Sequence, residues 1–326
     1  MDPYQELTLY QRSAILMAAA QLGVFAAMAD GPADPLKIAD TVGTSEDTIA
    51  RLLAALRALD YIGKTDGKYV LNDFSRSFLR DGAGGMVRLA WKEHLFYTAW
   101  SRLAAALSSN QALFPSYRDR ISGDFPSVEK FLLALNDLAG LAAPGIVASG
   151  FLPEQGTLLD LGGGGGGYAA AIAVARPAVR VTLADLPEIL PISEGYLARQ
   201  GLLSRVEVTT ADFLKDGCGL PGRTFDTVYL SHILHDFDAA TAAQIVRRAG
   251  ALVAPGGRLL ILDVLVPEAG QDNGVEGLFD LMMLVEVPGG RSHPVAAVRS
   301  WLAAAGLPKA RFHKLYFGVL AEGRAE

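Results

Sequence analysis

LLDLGGGGGGYAAAIA, residues 158–173, joins an apolar strand-like run to an alanine-rich helical run through six consecutive glycines, Gly162 to Gly167. Residues without side chains between a strand and a helix let backbone N–H groups and the helix N-terminus approach a ligand closely. Eighteen residues past Gly167, a second apolar run, VTLADLP, carries Asp185 near its end. An acid at that distance suits a ribose hydroxyl pair. The stretch therefore reads as a strand–loop–helix site for a ligand that carries a ribose.

Outward from it, strand-like and helical runs alternate. TLLDLG, RVTLAD, RVEVTTAD, FDTVYLS, GRLLILDVLV and a final RFHKLYFGVLAEG read as strands, with YAAAIAVA, LPISEGYLARQ, AATAAQIVRRAGALV and HPVAAVRSWLAAAG as helices between them. That alternation predicts an α/β fold, a mostly parallel Rossmann-like sheet covered by helices on both faces. Ligands bind such sheets at the C-terminal strand ends, where Asp160, Asp185, Asp212, His235 and Asp263 all fall.

The rest of the chain is bounded by simple counts. Its 326 residues suffice for two cores, and 51% hydrophobic content argues against disorder. A formal charge of −6 supplies no basic field for nucleic acid or acidic membrane. One cysteine, Cys218, cannot form an internal disulfide and fits a reducing cytoplasm. The longest apolar stretch, Ala14 to Ala29, is broken by Gln21 and preceded by Asp2 and Glu6, so it reads as neither a membrane span nor a signal peptide. It is expected to bury a broad face in a core or against another subunit.

The N-terminal part has a different pattern. PLKIADTVG is a short helix stopped by Gly43, Ser45 caps EDTIARLLAALRALDYIG, and Asp66-Gly67 turns a hairpin. Helix, turn, helix, hairpin is the order of a winged helix, which raises DNA binding. Residues 1–90 hold 9 Lys+Arg against 11 Asp+Glu, however, and the second helix offers only Arg51 and Arg57, too few cations for phosphate contacts. Dimerisation is the favoured use, with domains over 1–95, a helical linker with pocket helices over 96–150, and a catalytic domain over 151–326. The linker region is dense in aromatics, including Trp91, Phe96, Tyr97, Trp100 and Phe131, material for a flat apolar substrate pocket.

Six glycines satisfy the dinucleotide pattern as they satisfy almost any glycine pattern, so an NAD-dependent oxidoreductase stays open on that motif alone. Three further features point to S-adenosyl-L-methionine. TADF ends in Asp212 and Phe213 after a third strand; FDTVYLSHILHDFD runs a fourth strand into a histidine-bearing turn; VAPGGRLLILD leads a Pro-Gly-Gly turn into a fifth strand. With LHDFD and FDLMMLVEVPGGR (279–291) added, the chain resembles the S-adenosylmethionine-dependent small-molecule O-methyltransferases, plant caffeate-type and bacterial antibiotic-tailoring enzymes of the class I methyltransferase fold. The N-terminal part is similar to that family's dimerisation domain.

The resemblance implies a homodimer of a cytoplasmic enzyme of secondary metabolism. It places Gly162 and Gly164 at the methionine moiety, Asp185 with Leu186 at the ribose, Asp212 and Phe213 at adenine, and the Ser231 carbonyl at the methionine amino group. Asp160 is expected to fix the glycine loop. His235 matches the family's base for a hydroxyl acceptor, Asp263 the acid that orients it, and Asp236 is placed to accept from a second substrate hydroxyl. Trp100, Phe131, Asn136, Phe279, Met282 and Met283 are expected to line the pocket for a small aromatic acceptor. His232 reads as a core or capping group. One departure stands out. After Gly290 the family carries a glutamate directed at the histidine, whereas this chain reads Arg291-Ser292-His293-Pro294, leaving His293 or Glu286 to fill that space. C-methylation, or loss of methyl transfer, is the alternative this opens. A metal on His235, Asp236 and His293 is chemically possible, but a 58-residue spacing carries no signature, and no metal is expected.

Overall fold

The computed structural model describes residues 2–80, 85–267, 275–315 and 317–325. The chain divides into two compact units, Met1–Thr98 and Ala99–Glu326. The second takes in the helices that the sequence set apart at 96–150.

In the first unit α1 (Pro3–Thr8) and α2 (Tyr10–Leu22) precede α3 (Pro35–Val42), α4 (Glu46–Ala58), the hairpin β1 (Ile62–Thr65)–β2 (Lys68–Leu71) and α5 (Asp73–Phe78). The expected local signals form: Ser45 Oγ accepts the Thr48 N–H at 3.2 Å, and Asp66 and Gly67 turn the hairpin at φ 50° and 79°. Ile38, Ile49, Leu53 and Leu56 are fully buried with Phe25 and Met28. The outer face of α4 holds Arg51 in an ion pair with Asp47 at 2.9 Å, one turn away, which spends a cation that phosphate binding would require.

α6 (Val87–Trp100) leads into the second unit, followed by α7 (Leu103–Ser109), α8 (Tyr117–Gly123) and α9 (Phe125–Ala148). By length and composition α9 is apolar enough to cross a membrane. It carries buried Asn136 and Asp137 and packs along the helix that follows the glycine loop. Glu129, Lys130, Asn136 and Asp137 interrupt its apolar residues, which is why Ala14–Ala29 reads as the longer apolar stretch in sequence.

The sheet contains β3 (Gly156–Leu161), β4 (Val179–Asp185), β5 (Val206–Thr210), β6 (Phe225–Ser231), β7 (Val253–Asp263), β8 (Lys309–Lys314) and β9 (Val319–Arg324) in the order β5-β4-β3-β6-β7-β9-β8. The first five are parallel; β9 runs antiparallel to both β7 and β8. The sheet is thus mixed, and the last run, expected as one strand, is two. Helices α10 (Gly167–Ala175), α11 (Leu190–Arg199), α12 (Ala239–Gly250), α13 (Val275–Glu286) and α14 (Val295–Ala304) complete the unit. Leu158, Leu159 and Leu161 are all fully buried, so both faces of β3 are covered, as a central parallel strand requires. One core packs Ile172, Leu183 and Leu260; the other packs Ile245, Leu259 and Val298. Strand order reverses at β3, with β4 on one side and β6 on the other, so a crevice opens at its C-terminal end.

Candidate active site

Gly162 begins the loop at that switch point, with its N–H on Ala184 O at 2.7 Å and φ +76°. A Cβ there would lie 2.7 Å from Ile233 Cδ1 and 3.0 Å from Phe213 Cε1, so only glycine fits. Asn136 on α9 clamps the loop at both ends of its amide. Its Nδ2 donates to Gly165 O at 2.8 Å and its Oδ1 accepts the Gly167 N–H at 2.9 Å. That corrects its expected place in the substrate pocket: its polar atoms are already used on the backbone. Ser193 Oγ donates to Gly164 O at 2.6 Å, a contact no sequence signal announced. The loop's hydrogen-bonded ties to side chains are thus Asn136, Ser193 and Asp185, while Asp160 lies fully buried beneath it, against Gly163. Burial, with the nearby Asp185 charge, pushes the Asp160 carboxyl up to about 7.

Asp185 ends β4 and accepts the Gly164 N–H at Oδ2 and the Leu186 N–H at Oδ1, both at 2.7 Å. Burial raises its carboxyl to about 6 in spite of those two donors. Asp212 is held by Arg118 of α8 at 2.7 Å and accepts the Leu214 N–H at 3.0 Å. Arg118 and those bonds keep it below the usual carboxylate range against the opposing effect of burial. Phe213 stands edge-on to Phe237, centroids 5.9 Å apart. Ser231, 8% exposed, ends β6 opposite Leu262. A side-chain-free loop, an acid at the end of β4, an aromatic after β5 and the end of β6 thus face one crevice. This donor set fits S-adenosylmethionine: Gly162, Gly164 and Ser231 suit the methionine part, Asp185 with Leu186 the ribose, and Asp212 with Phe213 the adenine.

The histidine-bearing turn, Leu234–Asp236, is built on Asp263 at the end of β7. Asp263 Oδ2 accepts the Leu234 and His235 N–H groups at 3.0 and 3.3 Å, while Oδ1 accepts the Val264 N–H at 2.8 Å. His235 Nδ1–H donates to the same Oδ1 at 2.5 Å. Burial opposes protonation of His235, but Asp263, with Asp236 and Glu286, overrides it and pushes the imidazole up to about 9. Nε2 lies 3.6 Å from Asp236 Oδ1, beyond hydrogen-bond length, and the ring stands edge-on to Phe279 at 5.0 Å. One nitrogen is fixed and the other makes no hydrogen bond among the described residues, an arrangement compatible with a general base.

His293 does not replace the family's second acid. Its Nε2–H donates to Leu234 O at 2.9 Å and Phe237 O at 3.1 Å, and its ring stands edge-on to Trp301 at 5.0 Å. Carbonyls only accept, so the proton is on Nε2; burial lowers the ring's pKa and keeps it neutral. It clamps the backbone of the catalytic turn, while Arg291 N–H donates to His235 O at 2.8 Å. Glu286, at the end of α13 and 6% exposed, is the carboxylate whose charge reaches His235. The set His235, Asp236, His293 therefore does not converge as metal ligands. His232, His235 and Asp263 do approach within 4.8 Å, with the Nδ1 proton of His235 on Asp263 and His232 Nε2 sharing a 3.2 Å hydrogen bond with Tyr168 Oη. His232 takes φ +55° at the end of β6, and burial lowers its pKa to about 4.

Of the other pocket residues, Phe279 reaches His235 and Phe131 packs on the α8–α9 cluster with Tyr117 and Leu186. Met282 is half-buried, Met283 is core at 3% exposure, and Trp100 is half-buried at the end of α6. Trp91, Phe96 and Tyr97 belong to the first unit. Tyr117 is one of the linker aromatics that the sequence offers for the pocket, whereas Arg118, Arg120 and Tyr168 carry no sequence signal, because each acts across distances of chain that carry no periodicity.

Known proteins share the two-part domain organisation and the fold. Residues 5–81 match the O-methyltransferase dimerisation domain and residues 115–308 the O-methyltransferase domain. The chain is 29% identical over 306 residues to 3-hydroxy-5-methyl-1-naphthoate 3-O-methyltransferase of Streptomyces sahachiroi, covering 91% of this chain and 86% of that one. It is 28% identical over 285 residues to the mitomycin biosynthesis 6-O-methyltransferase of Streptomyces lavendulae, covering 83% and 78%. The solved structure of PigF with SAH superposes with a TM-score of 0.84 at 26% identity over 98% of both chains; the PigF sequence is that of a Serratia sp. methyltransferase. The dehydrogenase alternative falls away, and the chain belongs to the S-adenosylmethionine-dependent O-methyltransferase family.

Proposed function

We propose that this enzyme methylates a hydroxyl of a small aromatic metabolite, with His235 as general base. The observation that carries the reading is the 2.5 Å bond from His235 Nδ1–H to Asp263, which leaves Nε2 without a hydrogen bond among the described residues on a ring that stands edge-on to Phe279. When bound, S-adenosylmethionine supplies a methyl group on a sulfonium, open to in-line displacement. Gly162, Gly164 and Ser231 would hold its methionine part and Asp185 its ribose. The acceptor hydroxyl loses its proton to His235 Nε2 as its oxygen forms the new C–O bond, and Asp263 stabilises the imidazolium. An imidazole raised to about 9 is matched to a phenol of pKa near ~10, so proton transfer is close to balanced. Asp236, beside Nε2, would take a hydrogen bond from a second acceptor hydroxyl. The 3-hydroxy-5-methyl-1-naphthoate enzyme that the chain resembles supports an aromatic acceptor, and the mitomycin biosynthesis enzyme an acceptor of natural-product type. The matched dimerisation domain supports a homodimer, and the lone, buried Cys218 a reducing compartment.

The test is His235→Ala, assayed for methyl ether formation and for S-adenosylhomocysteine (SAH) binding. Turnover is expected to fall by a factor on the order of 10² or more with SAH affinity retained. Wild-type turnover in that variant would remove His235 from the chemistry.

A further inference from the structure

The charges around His235 restrict which acceptors can enter. Asp236, Asp263 and Glu286 set three carboxylates about one imidazole, so an aromatic acid would be repelled unless a cation faced it. α8 provides one. The Arg120 guanidinium carbon lies 5.5 Å from the Tyr117 ring centroid and 5.4 Å from that of Phe131. Its Nε is buried and has no hydrogen-bond partner among the described residues. The neighbouring Arg118 is committed to Asp212 at 2.7 Å. The Tyr117 and Phe131 rings that hold it belong to a cluster with Leu186, next to Asp185 at the end of β4; its charge favours the ionised forms of Asp236 and Tyr117, and Asp236 Oδ1 lies 3.6 Å from His235 Nε2.

A guanidinium stacked on two rings has lost most of its rotational freedom and part of its hydration, yet it keeps planar N–H edges for an acceptor. A carboxylate matches that edge in shape and charge. A neutral phenol brings no charge to meet the guanidinium.

We propose that Arg120 determines acceptor specificity by binding a carboxylate on the hydroxylated ring, so that the substrate class is a hydroxyaryl carboxylic acid. This rests on the reading that the pocket takes an aromatic acceptor.

The test compares binding of 3-hydroxy-2-naphthoate and 2-naphthol to the SAH-loaded protein by calorimetry, in wild type, Arg120→Met and Arg120→Lys. Methionine keeps an unbranched stem between the rings and removes the charge. Wild type should bind the acid at least about tenfold tighter than the naphthol. Arg120→Met should reduce that preference to within about twofold while SAH still binds, and Arg120→Lys should restore part of it. Equal wild-type binding of the two ligands overturns the proposal, as does loss of both ligands alike in Arg120→Met. If the acid binds through Arg120 but gains no methyl group from S-adenosylmethionine, the specificity assignment stands and the O-methylation reading fails.

Discussion

At the scale of single residues, the proposed role of His235 as base makes its pairing with Asp263 decide the pH at which the site should work. The base must be neutral to accept a proton, so kcat/KM should rise with pH along a limb centred near the raised value of about 9. In Asp263→Asn, burial acts on the imidazole without its carboxylate, and the limb should move down to the ordinary histidine value or below it. An unmoved limb would show that another group titrates. The same pair contributes to stability in a defined window. The raised His235 gives stability that is complete below its unfolded value of 6.5 and lost as pH rises through about 9. The depressed Asp263 gives stability present above its unfolded 3.8 and lost as pH falls through its folded value. The difference in melting temperature between wild type and Asp263→Asn should therefore narrow at the alkaline end. Both residues were legible in the sequence because strand ends are legible: FDTVYLS and GRLLILD fix where β6 and β7 stop. Arg118 and Arg120 were not, because α8 meets its partner Asp212 across 94 residues with no periodic signal.

At the scale of elements, the catalytic turn is a short 3-10 segment with little stability of its own, held by partners from elsewhere. His293 supplies two of its anchoring bonds through one nitrogen. His293→Leu should cost about 1–3 kcal/mol by urea titration, because two buried carbonyls lose their donor. Turnover should fall with it while SAH affinity holds, since the glycine loop is tied independently by Asn136 and Ser193. On the cofactor side, Asp185→Ala should weaken SAH binding by calorimetry, and an unchanged affinity would refute the ribose assignment. The elements that the sequence placed correctly are those with strong period or caps, such as α4 behind Ser45 and the buried strands β3, β4 and β6. RFHKLYFGVLAEG reads as one apolar run because two short strands share one composition. The Leu315 N–H to Gly318 O bond at 2.9 Å turns it into the β8–β9 hairpin.

At the scale of the whole molecule, two units with separate cores divide the labour. In the first, Leu7 and Tyr10 are 77% and 53% exposed on its N-terminal helices, an apolar surface that a matched dimerisation domain accounts for. Light scattering should give about twice the 34.5 kDa chain mass, and Leu7→Asp combined with Tyr10→Asp should shift it toward one chain. In the second unit, SAH at a hundred times its Kd should stabilise the fold by about 2.7 kcal/mol, seen as a rise in its melting transition. The sequence reported the doubly wound sheet because parallel strands and crossover helices repeat. It could not report the antiparallel β9, whose direction is set only by what it packs against.

The glycine loop has a consequence at the level of the gene. Every glycine codon begins GG, so Gly162 to Gly167 are encoded by a short nucleotide repeat, a template on which replication can slip by one codon and stay in frame. Gly162 is fixed to Ala184 O at 2.7 Å and Gly167 to Asn136 at 2.9 Å, so the loop has a set number of residues between two fixed ends. A glycine gained or lost there would have to be taken up between two anchored ends. Varying the third base of the six codons would break up any exact repeat and leave the protein sequence as it is.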